Sequence, residues 1–265
     1  MRNILLLMEY DGTEYSGWQI QPDRKSIQDV IEKTLSDILC HPIKVRASGR
    51  TDAGVHALGQ VVNFPTCSAL PLEIIQRAVN ALLPHDIRIL HLQEVSMDFD
   101  ARKSAIRKKY VYYLYCGLHF PVFFRHYVTY GGRRSINLPL LSEALGIFTG
   151  IHDFTSFSAS GSSSSDDPVR EMTECTVQQQ GKGLLCFSLE GSGFLYKMVR
   201  IILGEVWMVH NGKRSLNDLV WGLNHPGRTV NRYCMPPQGL YLVHLVYPGI
   251  AICRDTRRDW SLFPV

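Results

Sequence analysis

The sequence predicts an α+β protein made of two halves with the same order of elements. Two observations predict this: strand-like and helix-like hydrophobic periods alternate in the order strand, helix, strand, strand, helix, strand over residues 1–98, and the same order recurs, with longer connections, over residues 99–265. That order is the split arrangement of ferredoxin-like domains, with mainly antiparallel sheets. Two copies of it imply halves related by pseudo-two-fold symmetry with a cleft between them.

In the first half, Ile4 to Tyr10 is an apolar run ended by the turn Asp11-Gly12-Thr13. Ser26 is a good N-cap, with Asp29 placed to return the capping bond, and Ile27, Val30, Ile31, Leu35, Ile38 and Leu39 then recur at helical spacing before Pro42. Lys44 to Ala47 and Gln60 to Phe64 are strand-like and flank a glycine-bearing loop. Leu72 to Leu83 has one apolar side and stops at Pro84, and Ile87 to Val95 closes the half as a strand.

In the second half, Lys109 to Cys116 is strand-like and Leu140 to Phe148 helical. Met172 to Gln180 and Leu184 to Glu190 are strands about a Gly181-Lys182-Gly183 turn, Leu195 to His210 is a helix, and Leu240 to Tyr247 is the final strand. Ser160 to Pro168 has the composition of a surface loop. The ending, with Arg254, Arg257, Arg258, Trp260 and Phe263, reads as a surface tail, with extra nucleic-acid contact as the alternative.

The charge balance is weak overall, +4 from 28 basic and 24 acidic residues, but it is unevenly placed. Phe99 to Arg134 contains Arg102, Lys103, Arg107, Lys108, Lys109, Arg125, Arg133 and Arg134 against the single acid Asp100, so the remainder of the chain is slightly acidic. The same strip is rich in aromatics, among them Tyr110, Tyr112, Tyr113 and Tyr115, a composition suited to phosphate contact along RNA. Strand alternation puts only every second one of these side chains on one face, so most of the rings belong to the core.

The 7 cysteines are odd in number, far apart and without a CxxC pair, which points to reduced thiols in a cytoplasmic protein and not to a disulfide scaffold or zinc site. The apolar run Ile4 to Met8 is shorter than a signal-peptide core of about 7 to 15 residues, and no run approaches the roughly 20 apolar residues of a membrane span. No dinucleotide glycine fingerprint, phosphate-cradling loop or metal-ligand spacing is present.

Chemistry concentrates in the loop Ser48-Gly49-Arg50-Thr51-Asp52-Ala53-Gly54-Val55-His56-Ala57. Arg50 and Asp52, two residues apart with glycine on both sides, can curl so that a guanidinium faces a carboxylate, favouring the ionised acid and fixing one oxygen in direction, as a nucleophile or base requires. Taken alone, the same residues are more often a glycine turn with a structural ion pair. His56 has no partner at metal spacing and reads as a hydrogen-bonded structural residue.

The run Gly49 to Ala57 resembles the signature of the tRNA pseudouridine synthase A family. Four further stretches resemble that family in its order: Tyr10-Asp11-Gly12-Thr13 with Gly17-Trp18-Gln19; Asp100-Ala101-Arg102 with Lys109-Tyr110; Phe194-Leu195 with Met198-Val199-Arg200 and Gly204; and Pro236-Pro237 with Gly239-Leu240. The resemblance implies isomerisation of uridine to pseudouridine in the tRNA anticodon stem-loop, at nucleotides 38, 39 and 40. The N1 to C1′ bond breaks, the uracil turns, and C5 bonds to C1′. No atoms are gained or lost, so no cofactor and no metal is expected.

By the same resemblance Asp52 is the single catalytic aspartate, acting on ribose or base covalently or first removing a sugar proton, and Arg50 and Arg200 flank it. Tyr110 stacks on the flipped uracil, its hydroxyl a candidate to help remove the C5 proton, and Leu240 packs the other side. Lys109 and Arg102 are candidate RNA contacts, Arg102 being alternatively structural. The expected partners are tRNA and a second copy of the chain as a homodimer, with no membrane. Two other readings share part of this pattern. A binding module with the same sheets would have no chemical reason to keep Asp52 between two arginines, and a glycosidic-bond hydrolase would usually need a second carboxylate.

Overall fold

The computed structural model describes residues 1–160, 167–181, 183–227 and 232–252. The serine-rich stretch from 161 to 166, Lys182 and the basic tail with Cys253 lie outside the described residues. The fold is α+β, with a mixed sheet. The chain divides into two compact units, one of Met1–Ile106 with the described residues from Tyr241 onward, the other Arg107–Leu240.

The first unit contains β1 (Arg2–Tyr10), α1 (Ile27–Leu39), β2 (Arg46–Ala47), β3 (His56–Thr66), α2 (Leu72–Leu82) and β4 (Ile87–Val95), the element order read from the sequence. β1 lies between β4 and β3, antiparallel to both, and β2 lies antiparallel on β3. Ile4 to Met8 are fully buried, which is why this stretch reads as a continuous apolar run and not as an alternation. Ile31 and Leu35 of α1 and Ile75 and Val79 of α2 complete the core.

Ser26 caps α1, its hydroxyl accepting the N–H of Asp29. The helix stops before Pro42 is reached, because Cys40 turns into the left-handed region at φ 57°. Near its end β1 carries a bulge: Met8 opposes Gln60, but Tyr10 opposes Ala57. Such an irregularity re-aims the following side chain, and here that side chain is Tyr10.

The second unit contains β5 (Arg107–Tyr115), β6 (Thr129–Tyr130), α3 (Leu138–Gly146), β7 (Gly150–Asp153), β8 (Val169–Gln180), β9 (Leu184–Gly191), α4 (Met198–His210) and α5 (Leu216–Asn224). β9 lies between β5 and β8, antiparallel to both, and β7 extends the sheet on β8. Every residue of α4 except Arg200, Met208 and His210 is buried, so the helix is apolar nearly all round. It begins at Met198 and not at Leu195, because Lys197 adopts φ 58°.

β10 (Leu240–Val246) follows. The sequence assigns this strand to the second half. In the structure its residues from Tyr241 onward group with the first unit and run parallel to β3, Tyr241 beside His56 and Leu242 beside Ala57. Residues 99–106 also belong there: Ala101 N–H bonds Asn63 Oδ1, Tyr247 OH bonds Ala101 O, and Phe99 packs edge-on to Tyr247. The first unit therefore ends at Ile106 and takes back the last strand, in place of a single division after Asp98.

Candidate active site

The loop between β2 and β3 is tied down on both sides of Asp52. Ser48 N–H bonds Val61 O at 2.9 Å, and Gln60 Nε2 donates to Gly49 O at 2.9 Å. The Thr51 hydroxyl is 2.8 Å from that of Tyr10, and Thr51 O accepts the N–H of Trp18 at 3.0 Å. Val55 N–H closes a turn onto Asp52 O at 3.1 Å, with Gly54 at φ 75°. Thr51 and Val55 are buried, Asp52 is half-buried and Arg50 is exposed. The backbone under the carboxylate is thus fixed by neighbours, while Asp52 itself is only half-buried.

Two glycines let the chain before α1 close on this loop. A Cβ at Gly12 would lie 2.0 Å from Val55 O, and one at Gly17, where φ is +93°, would lie 2.7 Å from Thr51 O. His56 is buried beneath the turn. Its Nδ1 accepts the N–H of Gly12 at 3.1 Å and lies 3.1 Å from Asp11 Oδ1, while its ring stacks on Tyr241 at 4.8 Å. This is the hydrogen-bonded structural histidine that its sequence context suggests.

In the second unit, Tyr110 lies on β5 opposite Leu189, 7% exposed, its ring edge-on to Phe194 at 5.0 Å. Lys109 beside it forms an ion pair with Glu174 at 2.8 Å, and Arg107 pairs with Glu171 at 2.8 Å. Arg200, in the first turn of α4, donates from Nε to Met235 O at 2.7 Å, and its own carbonyl accepts the N–H of Met235 at 3.0 Å. Leu240 is buried at the start of β10. Arg102 is exposed, with its backbone N–H on Asp100 Oδ1 at 2.9 Å.

One segment ties together three of the sequence-predicted residues. Met235 is bonded to Arg200, Pro236 O accepts the hydroxyl of Tyr112 at 3.0 Å two residues along β5 from Tyr110, and the 3-10 turn Pro237–Gly239 leads into Leu240. A Cβ at Gly239 would lie 2.6 Å from Tyr113 O, so this turn rests directly on the β5 backbone. Arg50 and Asp52 share the loop of the first unit; Tyr110, Arg200 and Leu240 share this framework in the second.

Sequence reasoning missed the supports: Tyr10, Thr51 and Gln60 under the loop, and Glu205 beside the 232–236 segment. Gln60 was legible as a polar residue interrupting an apolar strand, and Glu205 as the one acid in the apolar run of α4. Among the described residues no group of three or more His, Cys, Asp or Glu side chains could hold a metal ion, and no helix is long and apolar enough to cross a membrane. The six described cysteines form no disulfide.

The sequence model of the tRNA pseudouridine synthase family matches residues 6–102 and 144–248. The tRNA pseudouridine synthase A of Anoxybacillus flavithermus is 43% identical over 250 residues, 93% of this chain and 99% of that protein. Those of Caldicellulosiruptor saccharolyticus and Geobacillus kaustophilus are 41% and 42% identical, each over 93% of this chain and over 100% and 95% of their own lengths. Among solved structures, a chain of a Cbf5-Nop10-Gar1 complex has a TM-score of 0.32 and 13% identity, covering 92% of this chain and 58% of that one. With most of its length matched by one family model and by relatives of nearly its own extent, the chain belongs to the tRNA pseudouridine synthase family, whose members are isomerases.

Proposed function

We propose that the protein converts uridine to pseudouridine in the tRNA anticodon stem-loop, at nucleotides 38, 39 and 40, with Asp52 as its single catalytic carboxylate. The observation that carries this is the anchored turn: backbone bonds and the buried Tyr10 and Thr51 hydroxyls hold the loop around Asp52, which is itself only half-buried. A reacting group held in one direction lowers the entropy lost on reaching the transition state.

In this reading Arg50 and Arg200 flank the Asp52 carboxylate. The Tyr110 ring carries the detached uracil while it turns, and Leu240 shields its other face from water. When C5 bonds to C1′, the C5 proton leaves and N1 gains one, with the Tyr110 hydroxyl a candidate to assist. Extruding the nucleotide costs a few kcal/mol, which contacts to RNA phosphates must offset. Lys109 and Arg102 belong to that binding surface.

The reading asks two ferredoxin-like halves, related by a pseudo-two-fold axis, to serve one uridine across a basic cleft. It also includes a homodimer that shares each tRNA, and a cytoplasmic enzyme that needs neither cofactor nor metal. The deciding experiment incubates purified protein with unmodified tRNA and chelator, then maps pseudouridine. Product at 38, 39 or 40 from wild type, and none from Asp52→Ala with tRNA affinity kept within a few-fold, is the expected result. Wild-type protein that leaves those uridines unchanged overturns the reading.

A further inference from the structure

Beneath the proposed site, α4 carries a buried acid that the reaction does not use. Glu205 is 1% exposed. Its Oε2 accepts from Arg232 Nη1 at 3.0 Å and lies 3.5 Å from Arg214 Nε, and its Oε1 accepts the backbone N–H of Tyr233 at 2.9 Å. Arg232 is itself enclosed: its guanidinium lies 4.1 Å from the centre of the Phe157 ring, and a Cβ at Gly222 of α5 would lie 2.3 Å from Nη2. A charge pair so deeply buried is costly to assemble and costlier to break on one side.

What the pair holds is the backbone that orients Arg200. Tyr233 lies flat on α4, since a Cβ at Gly204 would fall 1.9 Å from Tyr233 O. Two residues later Met235 meets Arg200 in both directions, N–H to carbonyl and carbonyl to Nε. The extended segment from Arg232 to Met235 thus runs along α4 from Glu205 to Arg200. Its Glu205 end is fixed by a carboxylate, and its far end fixes Nε of the arginine. With Nε engaged on Met235 O, the plane of the guanidinium is set.

We infer that Glu205 is a positioning residue for Arg200, acting through the Arg232 to Met235 segment. This rests on the reading that places Arg200 at the reacting uridine. The chemical contribution is geometric. A planar fork whose plane is fixed through Nε has the direction of its Nη groups set as well, which matters most in the transition state.

The test uses full-length protein and single-turnover pseudouridine formation on unmodified tRNA, with tRNA affinity and thermal unfolding measured on the same samples. Glu205→Ala is expected to lower the rate at saturating tRNA by about ten-fold or more, equivalent to about 1.4 kcal/mol or more of barrier, with affinity kept within a few-fold. In an Arg200→Lys background, where the fork is gone, the same change should add less than two-fold. Because Glu205→Ala strands a buried guanidinium, a second variant joins it: Glu205→Gln with Arg232→Met keeps an acceptor for Tyr233 N–H without the charge pair, and should recover most of the rate. A rate within two-fold of wild type in folded Glu205→Ala, full additivity with Arg200→Lys, or no recovery in a folded double variant overturns the inference. Arg200→Lys turning over like wild type would instead overturn the underlying role of Arg200.

Discussion

The hydroxyls of Tyr10 and Thr51 lie 2.8 Å apart, both residues buried, one position before the carboxylate proposed to do the chemistry. The β1 bulge delivers Tyr10 to this place, and Gln60 Nε2 reaches the same phenol oxygen at 3.4 Å. Burial pushes the Tyr10 phenol up to about 12, against the opposing hydrogen bonds of Thr51 and Gln60. It therefore stays neutral through and well above neutral pH. Tyr10→Phe leaves the Thr51 hydroxyl short of a partner and should lower stability by about 1 kcal/mol. Turnover on saturating tRNA should fall several-fold with little change in affinity, and the pH–rate profile should keep its shape. Urea unfolding and single-turnover assays check both.

Gly12 tests how closely the preceding turn must approach the loop. Any Cβ there meets the Val55 backbone on its carbonyl oxygen, so relief requires moving one of two main chains. Gly12→Ala should destabilise by about 1 to 3 kcal/mol, the usual cost of overpacking, and displace the turn under Asp52. Gly146, the exposed last residue of α3, is the control, with nothing within 4 Å of its Cβ position. Gly146→Ala should be neutral or stabilising by up to about 1 kcal/mol. Comparing the two midpoints in one denaturant series separates close approach from glycine entropy.

How far such features can be read from sequence follows from their physical range. β1, α1, α2 and β4 were legible because burial of one face or both imposes a period or an unbroken apolar run. The capping box at Ser215 and Asp218, which starts α5, is equally local, yet that helix was not read. Asp52 and Arg50 stood out only through a motif, since a glycine loop with an ion pair has the same composition. The supports, Tyr10 to Thr51, Gln60 to Gly49 and Glu205 to Tyr233, join residues 41, 11 and 28 positions apart. No local period encodes such pairs. The return of β10 to the first unit is likewise a pairing between distant strands, which a strand's own pattern does not specify.

The ring and the hydroxyl of Tyr110 can be separated. The ring packs edge-on against Phe194, and a phenylalanine would preserve that contact. Tyr110→Phe should keep tRNA affinity within a few-fold but slow the loss of the C5 proton. With tritium at C5 of the uridine, release should fall by about 10²-fold or more, the range of a positioned acid–base group. Tritium release at the wild-type rate removes the phenol from proton transfer and leaves it a stacking surface.

Lys109 has two possible employers, and pH separates them from salt. Its ammonium lies 2.8 Å from Glu174, both side chains about one-third exposed. Partial burial pushes the Glu174 carboxyl up, but hydrogen bonds from Lys109 and Thr176 and the lysine charge more than reverse this, so it sits below the usual carboxylate range. A carboxylate lowered on folding contributes stability that is present above its unfolded value near 4.3 and lost as pH falls through the folded one. Lys109→Met removes the lysine's part of the lowering and leaves the burial, so acid unfolding should begin at a higher pH. At neutral pH the loss should stay within about 1 kcal/mol, as for other exposed pairs. If Lys109 also exchanges Glu174 for a phosphate when tRNA binds, the slope of log K against log salt should shrink by about one. A shifted acid midpoint with an unchanged salt slope assigns Lys109 to the sheet alone and moves the tRNA path to other cations of the strip.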